Sequence, residues 1–157
     1  MPIRSAPHDL KGEGADLGAG YGYLASEVLA RCPKVSALDL YEAEARALDL
    51  ARLNLADIET QATLGFHWHD VGAGLPRQYD FIVSNPPFHT GRAEQPQLGL
   101  AFIRAAAAAL RPRGRLLLVA NRHLPYENDL RMHFASLAMR ADAHGFKVLE
   151  AIKAASK

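Results

Sequence analysis

A single cysteine, Cys32, has nothing to pair with inside the chain, so no internal disulfide holds this fold together. No apolar run approaches the roughly 20 residues that a membrane-spanning helix needs. The first ten residues lack the apolar stretch of a secretory signal, which leaves the cytoplasm as the expected location. A phosphate loop requires Gly-Lys-Ser or Gly-Lys-Thr, and neither occurs. Ser26, Ser36 and Ser84 lack the glycine elbow that exposes a nucleophilic serine. His67 and His69 share a strand face without a third ligand at metal spacing, so packing or contact with a ligand's edge is expected and no metal.

Length and charge narrow the reading further. A chain of 157 residues suits one domain with one core. Its net charge of +1 conceals an asymmetry. Residues 1–85 carry 7 lysines and arginines against 12 acidic residues, whereas residues 86–157 carry 11 against 5. The basic C-terminal half suits either contact with a polyanion or an ordinary solvated surface.

Strand and helix signals alternate along the chain. Strands are expected at Gly14–Leu17, Val35–Leu40, Ala62–Trp68, Tyr79–Ser84, Leu116–Ala120 and Phe146–Ile152. Helices are expected at Tyr21–Ala30, Glu42–Leu55, Leu98–Leu110 and Tyr126–Leu137. In the third of these, Ile103, Ala106, Ala107 and Leu110 repeat at the spacing of one helix face. His144-Gly145 marks a turn before the last strand. This alternation predicts an α/β fold, an open and mostly parallel sheet covered by helices on both faces. Ligands of such sheets bind beyond the carboxyl ends of the strands.

Asp16-Leu17-Gly18-Ala19-Gly20-Tyr21-Gly22 falls at one such end, between a strand and a helix. Glycines there let the backbone come close to a ligand and take positive φ. A dinucleotide fingerprint needs a small residue three positions after its second glycine, where this chain has Tyr23, so NAD and FAD are disfavoured. Asp39, about twenty residues on, is placed at the second strand's end, where a carboxylate accepts both ribose hydroxyls of a nucleoside. Asp70, after the third strand, is positioned to accept from an adenine amine.

Ser84-Asn85-Pro86-Pro87-Phe88-His89 follows the fourth strand. Two prolines fix two φ angles, and Pro86 forces Asn85 into an extended conformation. The Asn85 side-chain oxygen and the Pro86 carbonyl can accept both hydrogens of a conjugated amine, favouring the tetrahedral nitrogen whose lone pair attacks a methyl group. Phe88 offers a flat face for an unstacked base. A strand-ending turn capped by Asn is the alternative for this segment taken alone. The Asn121–Tyr126 segment after the fifth strand contacts phosphate or base, or simply caps the next helix.

Together the glycine turn, Ser84–His89 with Gly91, and Val119-Ala120-Asn121-Arg122-His123-Leu124-Pro125-Tyr126 resemble the bacterial rRNA guanine-N2 methyltransferases. The likeness is closest to the catalytic C-terminal domain of the small-subunit rRNA enzyme and runs from about Lys11 to Lys153. It implies a Rossmann-like class I methyltransferase over residues 1–157, with a seven-stranded sheet whose last strand is antiparallel, and without the family's N-terminal domain. It implies S-adenosylmethionine as cofactor, held by Asp16, Gly18, Gly20, Tyr21, Gly22, Asp39 and Asp70. Asn85, Pro86, Pro87 and Phe88 would carry catalysis, with Phe88, His89, Arg92 and Arg122 meeting ribosomal RNA. Methylation of adenine, protein glutamine or a small amine is the alternative chemistry. A non-catalytic binding module is the alternative to an enzyme.

Overall fold

The computed structural model of the chain describes residues 7–87, 89–90, 93–94 and 96–156. Its main sheet has seven strands: β1 (Lys11–Leu17), β2 (Lys34–Glu42), β3 (Thr63–Trp68), β4 (Tyr79–Ser84), β7 (Leu110–Asn121), β8 (Ser136–Ala143) and β9 (Phe146–Ile152). Their order is β3-β2-β1-β4-β7-β9-β8. β1, β2, β3, β4 and β7 pair in parallel, while β9 runs antiparallel to both of its neighbours. This is the expected α/β sheet with its reversed last strand. β5 (His89–Thr90) and β6 (Ala93–Glu94) form a separate two-residue ladder.

Helices cover both faces. α1 (Tyr23–Arg31) and α2 (Ala45–Leu55) bury Leu24, Ala25, Val28, Leu29, Ala51 and Leu55 against Leu38, Leu40, Phe81, Val83, Leu117 and Val119. α3 (Pro96–Ala109) and α4 (Glu127–His133) cover the other face, where Ile103, Ala106 and Leu130 meet Ala15, Leu17, Ile82, Leu116 and Leu118. Neighbouring strand residues such as Leu116 and Leu117 thus serve opposite cores, which is why these strands read as continuous apolar runs. No helix among the described residues is long and apolar enough to cross a membrane.

Three expected boundaries are corrected. β2 runs past Leu40 to Glu42, because Tyr41 pairs with Leu17 and His67, and Glu42 with Trp68. Glu42 therefore ends a strand instead of opening a helix, and α2 starts at Ala45. The helix expected over Tyr126–Leu137 stops at His133, and Ser136 already belongs to β8. β8 is an edge strand whose residues are exposed or half-buried throughout, so it carries little apolar signal.

Candidate active site

β1 delivers Asp16 and the glycine turn to the carboxyl edge of the sheet. Gly18, Gly20 and Gly22 have φ of 71°, 57° and 95°, the left-handed region that side chains disfavour. The Gly18 and Ala19 N–H groups both donate to the Tyr41 carbonyl, at 2.9 and 3.0 Å, which ties the turn to β2. Gly22 then opens α1, and the exposed Tyr21 has its carbonyl held by Asn54 Nδ2 at 2.8 Å.

Asp16 is fully buried, and neither carboxylate oxygen has a hydrogen-bond partner among the described residues. Burial, reinforced by the nearby Glu42 carboxylate and opposed by the Ala25 backbone, raises its pKa from 3.8 to about 7. The folded chain thus keeps a proton that the unfolded chain has released between about pH 4 and pH 7, so stability falls as pH rises through that window. Relative to Asp16→Asn, the wild type should lose on the order of 2–4 kcal/mol across this range, read from urea unfolding at both ends. Parallel pH profiles for the two proteins would mean that the carboxylate is not desolvated.

The acidic residue at the end of β2 is Glu42. Its Oε1 accepts from the Gly20 N–H at 2.8 Å and its Oε2 from the Glu44 N–H at 2.7 Å. Asp39 lies three positions earlier, which corrects its expected place at the strand end. Its Oδ2 accepts from Tyr79 Oη at 2.7 Å and Arg77 Nη1 at 3.4 Å, and its Oδ1 meets His67 Nε2 at 3.0 Å. Tyr79 Oη is also bonded to Tyr41 Oη, and the Tyr41 ring stacks on His67. Asp39 is therefore the centre of a polar cluster that fastens β2, β3 and β4. The sequence held a signal for Glu42: no large apolar residue follows Tyr41 until Leu48, leaving Tyr41 and Glu42 free to extend the strand.

Asp70 stands where it was expected, just beyond β3. It caps a short 3-10 turn, Val71–Ala73, accepting from the Gly72 N–H at 2.9 Å. The His69 N–H donates to the Glu42 carbonyl at 3.0 Å, and His69 Nε2 meets the Gly74 carbonyl at 2.6 Å, so both ends of this turn are fixed. Asp16, the glycine turn, Glu42 and Asp70 thus gather at the carboxyl ends of β1, β2 and β3.

β4 brings Asn85 to the same edge. Ser84 pairs with Leu17, and Ser84 Oγ donates to the Leu17 carbonyl at 2.7 Å. Asn85 and Pro87 are exposed and Pro86 is buried. A Cβ on Gly18 would stand 3.8 Å from Pro87 Cδ, so Asn85–Pro87 lies against the glycine turn. Phe88 and Arg92 lie outside the described residues, and His89 is described only as the start of β5.

Arg122 follows β7 and is exposed, with its Nε bonded to Asp142 at 2.5 Å and its N–H donating to the Gly145 carbonyl at 2.8 Å. Sequence reasoning missed Lys147. This β9 lysine is 2% exposed, and its Nζ donates to the Leu124 carbonyl and to Glu127 Oε1, both at 2.6 Å. It fastens the Asn121–Tyr126 segment to the sheet from below. Spacing could not reveal it, because lysine in an apolar run needs a distant partner to be legible.

The fit to a nucleoside carrying an ammonium group rests on the chain's own atoms. Asp16 offers two buried oxygens with no hydrogen-bond partner among the described residues, suited to a cation. Glu42 offers a carboxylate steadied by two backbone N–H groups, suited to hydroxyls. Gly20 has open space where a side chain would stand.

Known proteins share this frame. The family described as methyltransferase small domain matches residues 3–150. Ribosomal RNA small subunit methyltransferase C of Chromohalobacter salexigens is 38% identical over 139 residues, 88% of this chain and 40% of the relative. That of Psychromonas ingrahamii is 31% identical over 96% of this chain and 42% of the relative. The chain therefore spans about two fifths of the length of the curated relatives it matches. Among solved structures, the Thermus thermophilus 16S rRNA N2 methyltransferase, in complex with AdoMet and guanosine, is similar with a TM-score of 0.74 and 32% identity, over 90% of this chain and 37% of that one. The fold, the match across nearly the whole chain and these relatives agree: the chain belongs to the methyltransferase small domain family.

Proposed function

We propose that the chain transfers a methyl group from S-adenosylmethionine to the exocyclic N2 amine of guanine in ribosomal RNA. The observation that carries this reading is the packing of Asn85–Pro87 against a glycine turn flanked by Asp16 and Glu42. S-adenosylmethionine supplies the activated methyl group when bound. Asp16 would face its ammonium, Glu42 its ribose and Asp70 its adenine, with Gly18, Gly20, Tyr21 and Gly22 shaping the wall. Glu42 takes the ribose role first given to Asp39, whose oxygens are committed to Tyr79, His67 and Arg77.

On the substrate side, the Asn85 oxygen and the Pro86 carbonyl would accept from the two amine hydrogens. That contact favours a pyramidal nitrogen with a localised lone pair. No strong base is required, because the methylated amine releases its proton readily. Orientation carries most of the rate. Phe88 and His89 would hold the base, and Arg92 and Arg122 the RNA phosphates. Such a substrate places the protein in the cytoplasm.

Calorimetry separates the two ribose assignments. Glu42→Ala should weaken S-adenosylmethionine binding by on the order of 2–4 kcal/mol, the worth of two hydrogen bonds to a charged group. An equal loss in Asp39→Ala, with Glu42→Ala unaffected, would restore the first assignment.

A further inference from the structure

A cavity of about 840 Å³ opens at the amino ends of the parallel strands, the end opposite the site above. Lys11 begins β1, Lys34 begins β2, and Arg113 lies in the first part of β7. All three line the cavity and are exposed. None has an ion pair or side-chain hydrogen bond among the described residues. The two carboxylates in the lining are already engaged, Asp9 with Arg115 and Asp80 with Arg111. Among the described residues the cavity therefore keeps three uncompensated cations.

Arg113 adds a second, independent observation. Its φ is 66°, in the left-handed region where glycine is the default, and its N–H donates to the Lys153 and Ala154 carbonyls. The turn favours glycine, and the sequence supplies arginine. A local rule broken without a gain in packing marks a position kept for another purpose.

We propose that this cleft is a second RNA contact, taking phosphodiester oxygens on Lys11, Lys34 and Arg113. It rests on the reading of RNA as the substrate. β1 spans seven residues, so the cleft lies about 20 Å from the glycine turn. An RNA seated on both ends of the sheet would be gripped through its backbone there, without sequence choice. Phosphate is favoured over an acidic protein segment because the proposed substrate is itself a phosphodiester chain, and the cations stand in a row across the sheet, Lys11 opposite Lys34 on neighbouring strands and Arg113 two strands from Lys11.

The test uses the full chain, a fluorescein-labelled RNA hairpin of arbitrary sequence, and anisotropy across a potassium chloride series. The triple variant Lys11→Gln, Lys34→Gln, Arg113→Gly should bind roughly ten-fold more weakly, with a slope of log affinity against log salt shallower by about two. Arg113→Gly alone should lower RNA affinity while raising the thermal midpoint, a pairing that a purely structural arginine does not produce. Calorimetric binding of S-adenosylmethionine should be unchanged in both variants. Affinity and slope equal to wild type in the triple variant would overturn the cleft. So would polyglutamate displacing the hairpin as well as unlabelled RNA does, which would assign it to an acidic protein. Wild type that binds no RNA would overturn cleft and substrate reading together. Cleft-dependent binding without formation of N2-methylguanosine would remove only the reaction.

Discussion

Asn85→Ala should lower kcat by on the order of 10²–10³ while leaving S-adenosylmethionine affinity unchanged. Asn85 is exposed at the end of β4, and the main chain that carries it is held by Ser84 on the Leu17 carbonyl and by Pro86. The substitution removes an acceptor without moving its support. The proposed contact strengthens as the amine becomes tetrahedral, so its loss falls on the transition state and less on the bound substrate. Single-turnover kinetics with saturating RNA, alongside calorimetry, reads both quantities. Full turnover by Asn85→Ala would refute the amine-orienting role, whereas a parallel loss of cofactor affinity would make Asn85 part of the cofactor wall.

Lys147→Met should cost about 3 kcal/mol of stability, because it leaves Glu127 without its cation and the Leu124 carbonyl with the Tyr126 N–H as its one remaining donor among the described residues. Glu127 is partly exposed and regains some hydration, which keeps the figure at the lower end for a broken buried pair. For a chain of this size that corresponds to a thermal midpoint lower by roughly 6–12 °C. Lys147→Met with Glu127→Leu should recover part of the loss, since removing both partners costs less than removing one. The single variant should also raise KM for RNA more than it lowers kcat, because Lys147 holds the segment that carries Arg122. An unchanged midpoint would show that hydration of Glu127 and the Tyr126 N–H on the Leu124 carbonyl replace the lysine at no cost.

The strands of the sheet's centre were legible because parallel strands buried on both faces are apolar runs that admit few readings. Leu116–Ala120 and Tyr79–Ser84 are examples. The glycine turn and Asn85–Pro87 were legible because local backbone geometry fixes their residue types. Asp39 was misplaced because a carboxylate after an apolar run looks like a strand end, whereas Tyr41 and Glu42 carry β2 onward through pairing with β1 and β3. β8 went unseen because an edge strand buries too little to show a pattern. Lys147 and Arg113 were hidden for a related reason. The meaning of each lies in residues distant along the chain, Leu124 and Glu127 for one and the cleft with Lys11 and Lys34 for the other.

Guanine-N2 transfer is tested most directly by chemistry on the nucleoside. The chain is incubated with S-adenosylmethionine labelled in its methyl group and with small-subunit rRNA lacking modifications, and the RNA is digested and chromatographed. The label should appear in N2-methylguanosine and be lost with Asn85→Ala. Label in N6-methyladenosine, or in no nucleoside while the chain still binds S-adenosylmethionine, would contradict it.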